Sequence, residues 1–476
     1  MAEFALDNRL TSEGSGGIRL SGPIVFMMIL SGAGVVFIDN GIYLFGCLIS
    51  LYFIFFISWR TGRPGVIVLC MLTQWLQIAA FPVWMDVSGR DINFLSHHSD
   101  AAVLSSCLGL AIIALVIAMG INGLRIPTKL EFYTEARKIN EKKILLLYLY
   151  STLSLGSVGA VVGYNSGFFQ IIQTLASLKW VFFLVYGYVS WINNKNRFIL
   201  VLMIVFEFST SLVSYFSNFK DVILITIILV LTFIRNVTFK QFMYSFLVSA
   251  TLFFLLLTWT AIKSDYRLFL NKGSGQQEVS VGTGEALSNI GDQLANLKAE
   301  KLQVSASAFL YRLQYTYHMA LVMDRVPEYM PHEFGKVWWE NITYVVTPRI
   351  LFPDKPIFDA TIKTNKYTGM HFSGNQKGAS FSLGYFTDSY IDFGFIGMYI
   401  PLILLAGFIV IIYRTFYKMK KLNILFRYAL INVALYEFFA FESDGLYLFG
   451  RLLILYLAFS VLGRTIFPPL QRWLYK

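Results

Sequence analysis

The sequence predicts an all-α polytopic membrane protein of about 12 transmembrane helices, and three observations carry that prediction. Hydrophobic residues fill 56% of the 476 positions and charged residues only 14%, with mean hydropathy +0.60. A water-soluble fold of that composition would expose far too much apolar surface. The apolar residues also gather in runs of about 20, the length a helix needs to cross a hydrocarbon core. Finally, Lys and Arg fall on one side of those runs, as cytoplasmic connections require.

The runs lie near 22–39, 41–59, 65–84, 101–120, 144–163, 168–191, 198–216, 219–234, 241–262, 394–413, 423–440 and 445–466. The weakest is 219–234, whose apolar core is short and opens with Lys220 and Asp221. One face collects Arg60, Arg63, Arg125, Lys129, Lys142, Lys195, Arg235, Arg414, Lys420, Arg427 and Arg464, among others. Short connections on the opposite face carry only Arg90 and Lys220. Both termini are therefore expected in the cytoplasm, as tails 1–21 and 467–476 around helices 22–262 and 394–466. The net charge of +11 reads as a topology signal rather than a nucleic-acid footprint. Residues 1–21 are polar and glycine-rich, so no cleavable signal peptide is expected. Cys47, Cys70 and Cys107 sit inside apolar runs and are odd in number, which suits packing rather than a disulfide framework or a metal site.

One connection is long. Residues 263–393, between the ninth and tenth runs, face outward, and loops of that size usually have a role. The stretch "NKGSGQQEVSVGTGEALSN" is polar and Gly/Ser-rich. Leu287, Ile290, Leu294 and Leu297 then recur at helical spacing, and 305–323 reads as a second helix ending before Pro327. Either the helices lie on the outer leaflet or they cover a site. In "FLYRLQYTYHMA", Tyr311, Tyr315 and His318 share one stripe with Arg312 beside it, a set able to bind phosphate and move a proton. An ordinary interfacial helix would show the same residues. Further on, "VVTPRILFPDKP" (345–356) holds three prolines, which bias Thr347, Phe352 and Lys355 away from helix and make a shaped loop bearing Arg349 and Lys355.

Charges also fall where lipid penalises them: Lys179, Glu207, Glu437 and Arg451. They mark a wet cavity or, more plainly, a Lys179–Glu207 ion pair and a snorkelling Arg451. If Arg312, Arg349, Lys355 and Arg451 converge, they form a cationic pocket suited to pyrophosphate. Asp388, Asp392, Glu442 and Asp444 are acidic candidates near the same surface, or helix caps. No metal is expected, since no DxD occurs and the histidines are scattered.

The order of features resembles the Wzy-type repeat-unit polymerases of bacterial surface polysaccharides. The resemblance rests on Pro348-Arg349, on Pro353-Asp354-Lys355-Pro356, and on Asp392-Phe393-Gly394 with Gly397 in "GYFTDSYIDFGFIGMYIPLILLAG". It covers mainly 305–410, with the topology agreeing over the whole chain. It implies a metal-independent glycosyltransferase of the inner membrane, acting at its periplasmic face without a cofactor or nucleotide sugar. Such an enzyme moves a glycan from undecaprenyl pyrophosphate onto a lipid-linked repeat unit, with a flippase and a chain-length regulator as associated proteins and no nucleic-acid partner. Under that reading His318 is the first choice of base, and Arg312, Arg349, Lys355 and Arg451 meet the leaving pyrophosphate. Asp392, Glu442, Asp444, Tyr311 and Tyr315 then contact sugars. An O-antigen ligase with a lipid A core acceptor shares this topology. A lipid-linked oligosaccharide flippase is the other alternative, although no six-span repeat is visible.

Overall fold

The computed structural model describes residues 19–161, 169–213, 219–234, 236–273, 280–349, 351–352, 354–374 and 380–475. In a hydrocarbon solvent every backbone N–H and C=O must find its partner inside the chain, and a helix does this within one segment. The apolar runs accordingly become α1 (Gly22–Val35), α2 (Gly41–Ser58), α3 (Val66–Val87) and α4 (Ser99–Asn122). After a basic surface helix, α5 (Lys129–Lys138), come α6 (Glu141–Val161), α7 (Phe169–Ala176), α8 (Leu178–Asn193), α9 (Arg197–Val213), α10 (Phe219–Phe233) and the long α11 (Phe239–Leu270). Among the described residues, seven helices are long and apolar enough to cross a membrane: 41–58, 66–87, 99–122, 172–193, 239–270, 399–417 and 445–465. The other five expected spans are also helical where described, but they are not among these seven.

The remaining elements are α12 (Thr283–Ala295), α13 (Ala299–Leu313), α14 (Tyr315–Met323), α15 (Lys336–Val346), α16 (Ala360–Thr368), α17 (Tyr385–Gly397), α18 (Tyr399–Tyr417), α19 (Ile424–Leu435), α20 (Gly445–Thr465) and α21 (Phe467–Leu474). Extended pairing among the described residues is slight: Arg19–Leu20 run parallel to Asn236–Val237, and Ile139 bridges Tyr475. The core lies where α3, α4, α8, α18 and α19 meet. Ile78, Phe81, Leu110, Ile113, Phe183, Leu402, Ile409 and Phe426 are fully buried there. Cys47 and Cys107 pack Sγ to Sγ at 3.6 Å between α2 and α4, as free buried thiols. By contrast α1 and the first half of α11 expose Phe26, Ile29, Phe246, Leu247 and Phe254, the surface that lipid would cover.

Two corrections to the expected helices follow from local geometry. The single helix expected over 305–323 breaks at Gln314, whose φ −83° and ψ 55° end α13 and begin α14. The span expected over 394–413 begins later, as α18 at Tyr399, and is preceded by a separate helix. Helix α17 starts at Tyr385 and is interrupted at Gly394, with φ 67° and ψ −168°. A Cβ there would lie 3.0 Å from the His332 ring, so this position needs glycine on two counts.

Inside the bundle, Lys179 Nζ pairs with Glu207 Oε2 at 2.7 Å and Tyr148 donates to Glu207 Oε1 at 2.7 Å. Glu207 is 1% exposed, so its charge has no water to fall back on. This is the plainer of the two readings of those charges. Removing one partner of such a pair strands the other. Lys179→Met should lower unfolding free energy by about 3 kcal/mol. The double variant Lys179→Met with Glu207→Leu should recover most of that, as read by thermal unfolding in detergent. Equal losses in both variants would remove the ion pair as the cause.

Candidate functional site

Helix α15 sets the geometry of the long connection between α11 and α18. It begins after Gly335 (φ 94°), and its first N–H groups would be orphaned without an acceptor. Asp392 supplies one from α17: its two carboxylate oxygens accept from Val337 N at 2.9 Å and Trp338 N at 2.8 Å. Trp338 Nε1 also donates to Ser389 Oγ at 3.1 Å. Asp392, expected as a sugar contact or a cap, here caps α15 from a neighbouring helix.

Where α15 ends, the proline-rich stretch folds back on it. Arg349 donates to Pro356 O at 3.0 Å, and the Tyr344 hydroxyl donates to the same carbonyl at 2.8 Å. Lys355 Nζ donates to Tyr344 O and to Thr347 O, the latter at 2.9 Å, and lies 3.4 Å from the centre of the Tyr344 ring. Burial, then the neighbouring Arg349, lowers the Lys355 pKa. The expected shaped loop is thus a cross-braced turn with its two cations side by side, half-buried at its surface. Ile350 and Pro353 lie outside the described residues.

Under this turn sits a cluster that the sequence reading did not assemble. Lys363 Nζ lies 2.6 Å from Asp388 Oδ1 and 2.5 Å from Asp444 Oδ2, and both carboxylates are wholly buried. Asp388 also accepts from Gly445 N at 3.0 Å and Asn341 Nδ2 at 3.3 Å. Asp444 caps α20 through Leu446 N at 3.0 Å. Burial pushes the Asp388 carboxyl up to about 6, with the nearby Asp444 adding to it. Burial alone would lower the Lys363 ammonium, but the two carboxylates prevail and raise it. Phe358 bridges cluster and turn: its ring lies 5.9 Å from Tyr344, 5.7 Å from Tyr447 and 5.9 Å from Lys363 Nζ. The signal for Lys363 was faint, because "TIKTNKYT" reads as a solvated loop helix, although Ala360, Thr361, Thr364, Tyr367 and Thr368 all bury their side chains.

His318 stands apart in an aromatic box. Its ring centre lies 6.3 Å from Tyr311, 5.4 Å from Tyr315, 5.8 Å from Tyr317 and 5.7 Å from Phe372. Imidazole Nδ1, the Gln314 amide and the Thr316 hydroxyl are buried without hydrogen-bond partners among the described residues. Phe372 ties this box to α16, exchanging backbone bonds with the Asn365 side chain at 2.9 and 3.1 Å. Arg312 lies on α13, and its side chain is outside the described residues.

The other expected residues go elsewhere. Glu442 accepts from Gln77 Nε2, whose amide oxygen accepts from Phe441 N at 2.7 Å. Arg451 pairs with Glu437 at 3.3 Å. Among the described contacts, Arg349 joins Lys355 and Asp444 joins Asp388, whereas Arg451 and Arg349 have separate partners.

Burial lowers the His318 pKa to about 4. A depressed group favours folding above its unfolded pKa, and that contribution is lost as pH falls toward the folded value. Acidification from about pH 7 to about pH 5 should therefore cost about 2 kcal/mol through His318 alone. Chemical denaturation of His318→Phe at both pH values should lack this component. An unchanged pH dependence in the variant would show that the ring is solvated.

A family model, Domain of unknown function (DUF8712), matches residues 61–421. No curated protein and no solved structure matches the chain. The matched segment runs from the end of α2 to just before α19, so it takes in the bundle centre, the braced turn and two members of the buried Lys–Asp cluster. With well over half its length under that match, the chain belongs to the DUF8712 family.

Proposed function

We propose that this chain is a membrane glycosyltransferase that polymerises repeat units carried on undecaprenyl pyrophosphate, at the periplasmic face of the bacterial inner membrane. The observation that carries the reading is the braced turn 347–356, which sets Arg349 and Lys355 beside each other and joins, through Phe358, the buried Lys363–Asp388–Asp444 cluster. A transferase of this kind must meet the charge that develops on a departing pyrophosphate. The bond to Pro356 uses one of the five N–H donors of Arg349, and a guanidinium matches phosphate oxygens in pairs. The exposed Leu351 within the turn and Ile357 just after it suit a lipid boundary.

In this mechanism an acceptor hydroxyl attacks the anomeric carbon of the donor glycan. The anomeric C–O bond breaks, and its electron pair leaves with the lipid pyrophosphate toward Arg349. The hydroxyl proton passes to His318 Nδ1, whose basicity is that of a carboxylate, the usual strength of a base in glycosyl transfer. The Lys363 cluster acts as a positioning group that holds α16, α17 and α20 in register.

Purified protein in nanodiscs, given lipid-linked repeat units alone, should produce a ladder of longer glycans. Arg349→Ala should reduce ladder formation about 100-fold while the protein still reaches the membrane. Arg349→Lys should lie between, since it keeps charge without the paired geometry. A full ladder from Arg349→Ala would sink the assignment of that residue. Product only with a lipid A core acceptor would make the chain a ligase instead.

A further inference from the structure

On the face of the bundle opposite the braced turn, a cleft of about 700 Å³ opens between α5, the turn joining α18 to α19, and α21. Its walls carry five basic side chains, Arg125, Lys138, Lys420, Lys421 and Arg427, against two carboxylates, Glu131 and Glu135. Both carboxylates are already engaged: Arg125 pairs with Glu131 at 2.8 Å and Lys138 with Glu135 at 2.6 Å. Lys420, Lys421 and Arg427 have no carboxylate partner among the described ion pairs. A basic cytoplasmic surface alone would account for the count of cations, but not for what lies among them.

Helix α19 begins in this cleft. Its cap, Asn423, is 6% exposed and accepts from Phe426 N at 3.0 Å through Oδ1. That bond fixes the amide orientation, and the remaining Nδ2 is buried and turned toward the Tyr475 hydroxyl in the far wall. Arg427 donates from one terminal nitrogen to Tyr417 O at 2.9 Å, while its Nε is buried without a hydrogen bond to any described residue. The far wall is pinned in place. Gln471 Oε1 accepts from Asn423 N at 2.7 Å, and Gln471 Nε2 donates to the Tyr475 hydroxyl at 2.6 Å. One orphaned donor, the Arg427 Nε, the positive end of a helix and two lysines without a carboxylate among the described ion pairs thus line one hollow. A buried donor without an acceptor is costly, so this arrangement calls for an anion.

We propose that this cleft binds a phosphate-bearing anion, held by Arg427, Lys420 and Lys421 at the start of α19. Its volume falls in the range of small-molecule sites and admits either a phospholipid headgroup or a soluble phosphate compound. Because α21 forms one wall, the bound anion ties the C-terminal helix to α19.

The test uses the full chain in phosphatidylcholine nanodiscs, followed by thermal unfolding, with added phosphatidylglycerol in one arm and inorganic phosphate in the other. At least one arm should raise the unfolding temperature, and the one that does identifies the source of the phosphate. Arg427→Gln, and the exposed pair Lys420→Gln with Lys421→Gln, should each weaken the apparent affinity about tenfold or more. Arg349→Ala should leave it unchanged. A control pair on the same basic face, Lys195→Gln with Lys240→Gln, removes equal charge outside the cleft. No stabilisation in either arm, or an equal loss in the control pair, overturns the proposal.

Discussion

The segment that follows α15 in this protein depends on one buried ammonium. Lys363 stands between Asp388 and Asp444, each wholly shielded from water, and so joins α16, α17 and α20 at a single point. Burying three charges is expensive, and the cost is tolerable only because each carboxylate has other donors: Gly445 N and Asn341 Nδ2 for Asp388, and Leu446 N for Asp444. Those extra bonds are geometrically demanding. They fix where α20 begins and how α15 lies over α17, and the braced turn then has one place to go.

The site proposed for glycosyl transfer is built outward from that point. The turn meets the cluster through Phe358, and the His318 box meets α16 through the bonds between Asn365 and Phe372. Helix α16 therefore links the cationic turn, through Lys363 and Phe358, with the His318 box, through Asn365 and Phe372.

What could be read from residues divides along a physical line. The apolar runs were legible because a membrane leaves the backbone no choice but the helix, whatever the side chains do later. The braced turn was legible because proline acts on its own neighbours: Thr347, Phe352 and Lys355 are all non-helical. The Lys179–Glu207 pair was one of two readings of charges in lipid, and the Arg451–Glu437 contact shows a second local neutralisation. Lys363 was missed because its partners come from two distant helices, and nothing in "TIKTNKYT" announces them. The break at Gln314 was missed for a related reason, since helical spacing continues unbroken through it. The gathering of Arg451 with Arg349 rested on both lying near one surface, a constraint too weak to choose a direction for a long side chain.

Helix α15 has a consequence beyond its packing. At 11 residues it is too short to persist alone in water. Yet a carboxylate sits at its head, in Asp392, and an ammonium reaches the carbonyls at its tail, from Lys355. Each pole of the rod is therefore answered by an opposite charge. Such a rod projects little field of its own, so it can rest at an oil–water boundary without drawing counter-ions there. Any ionic guest at that boundary would then respond to side chains alone, with Arg349 foremost among them.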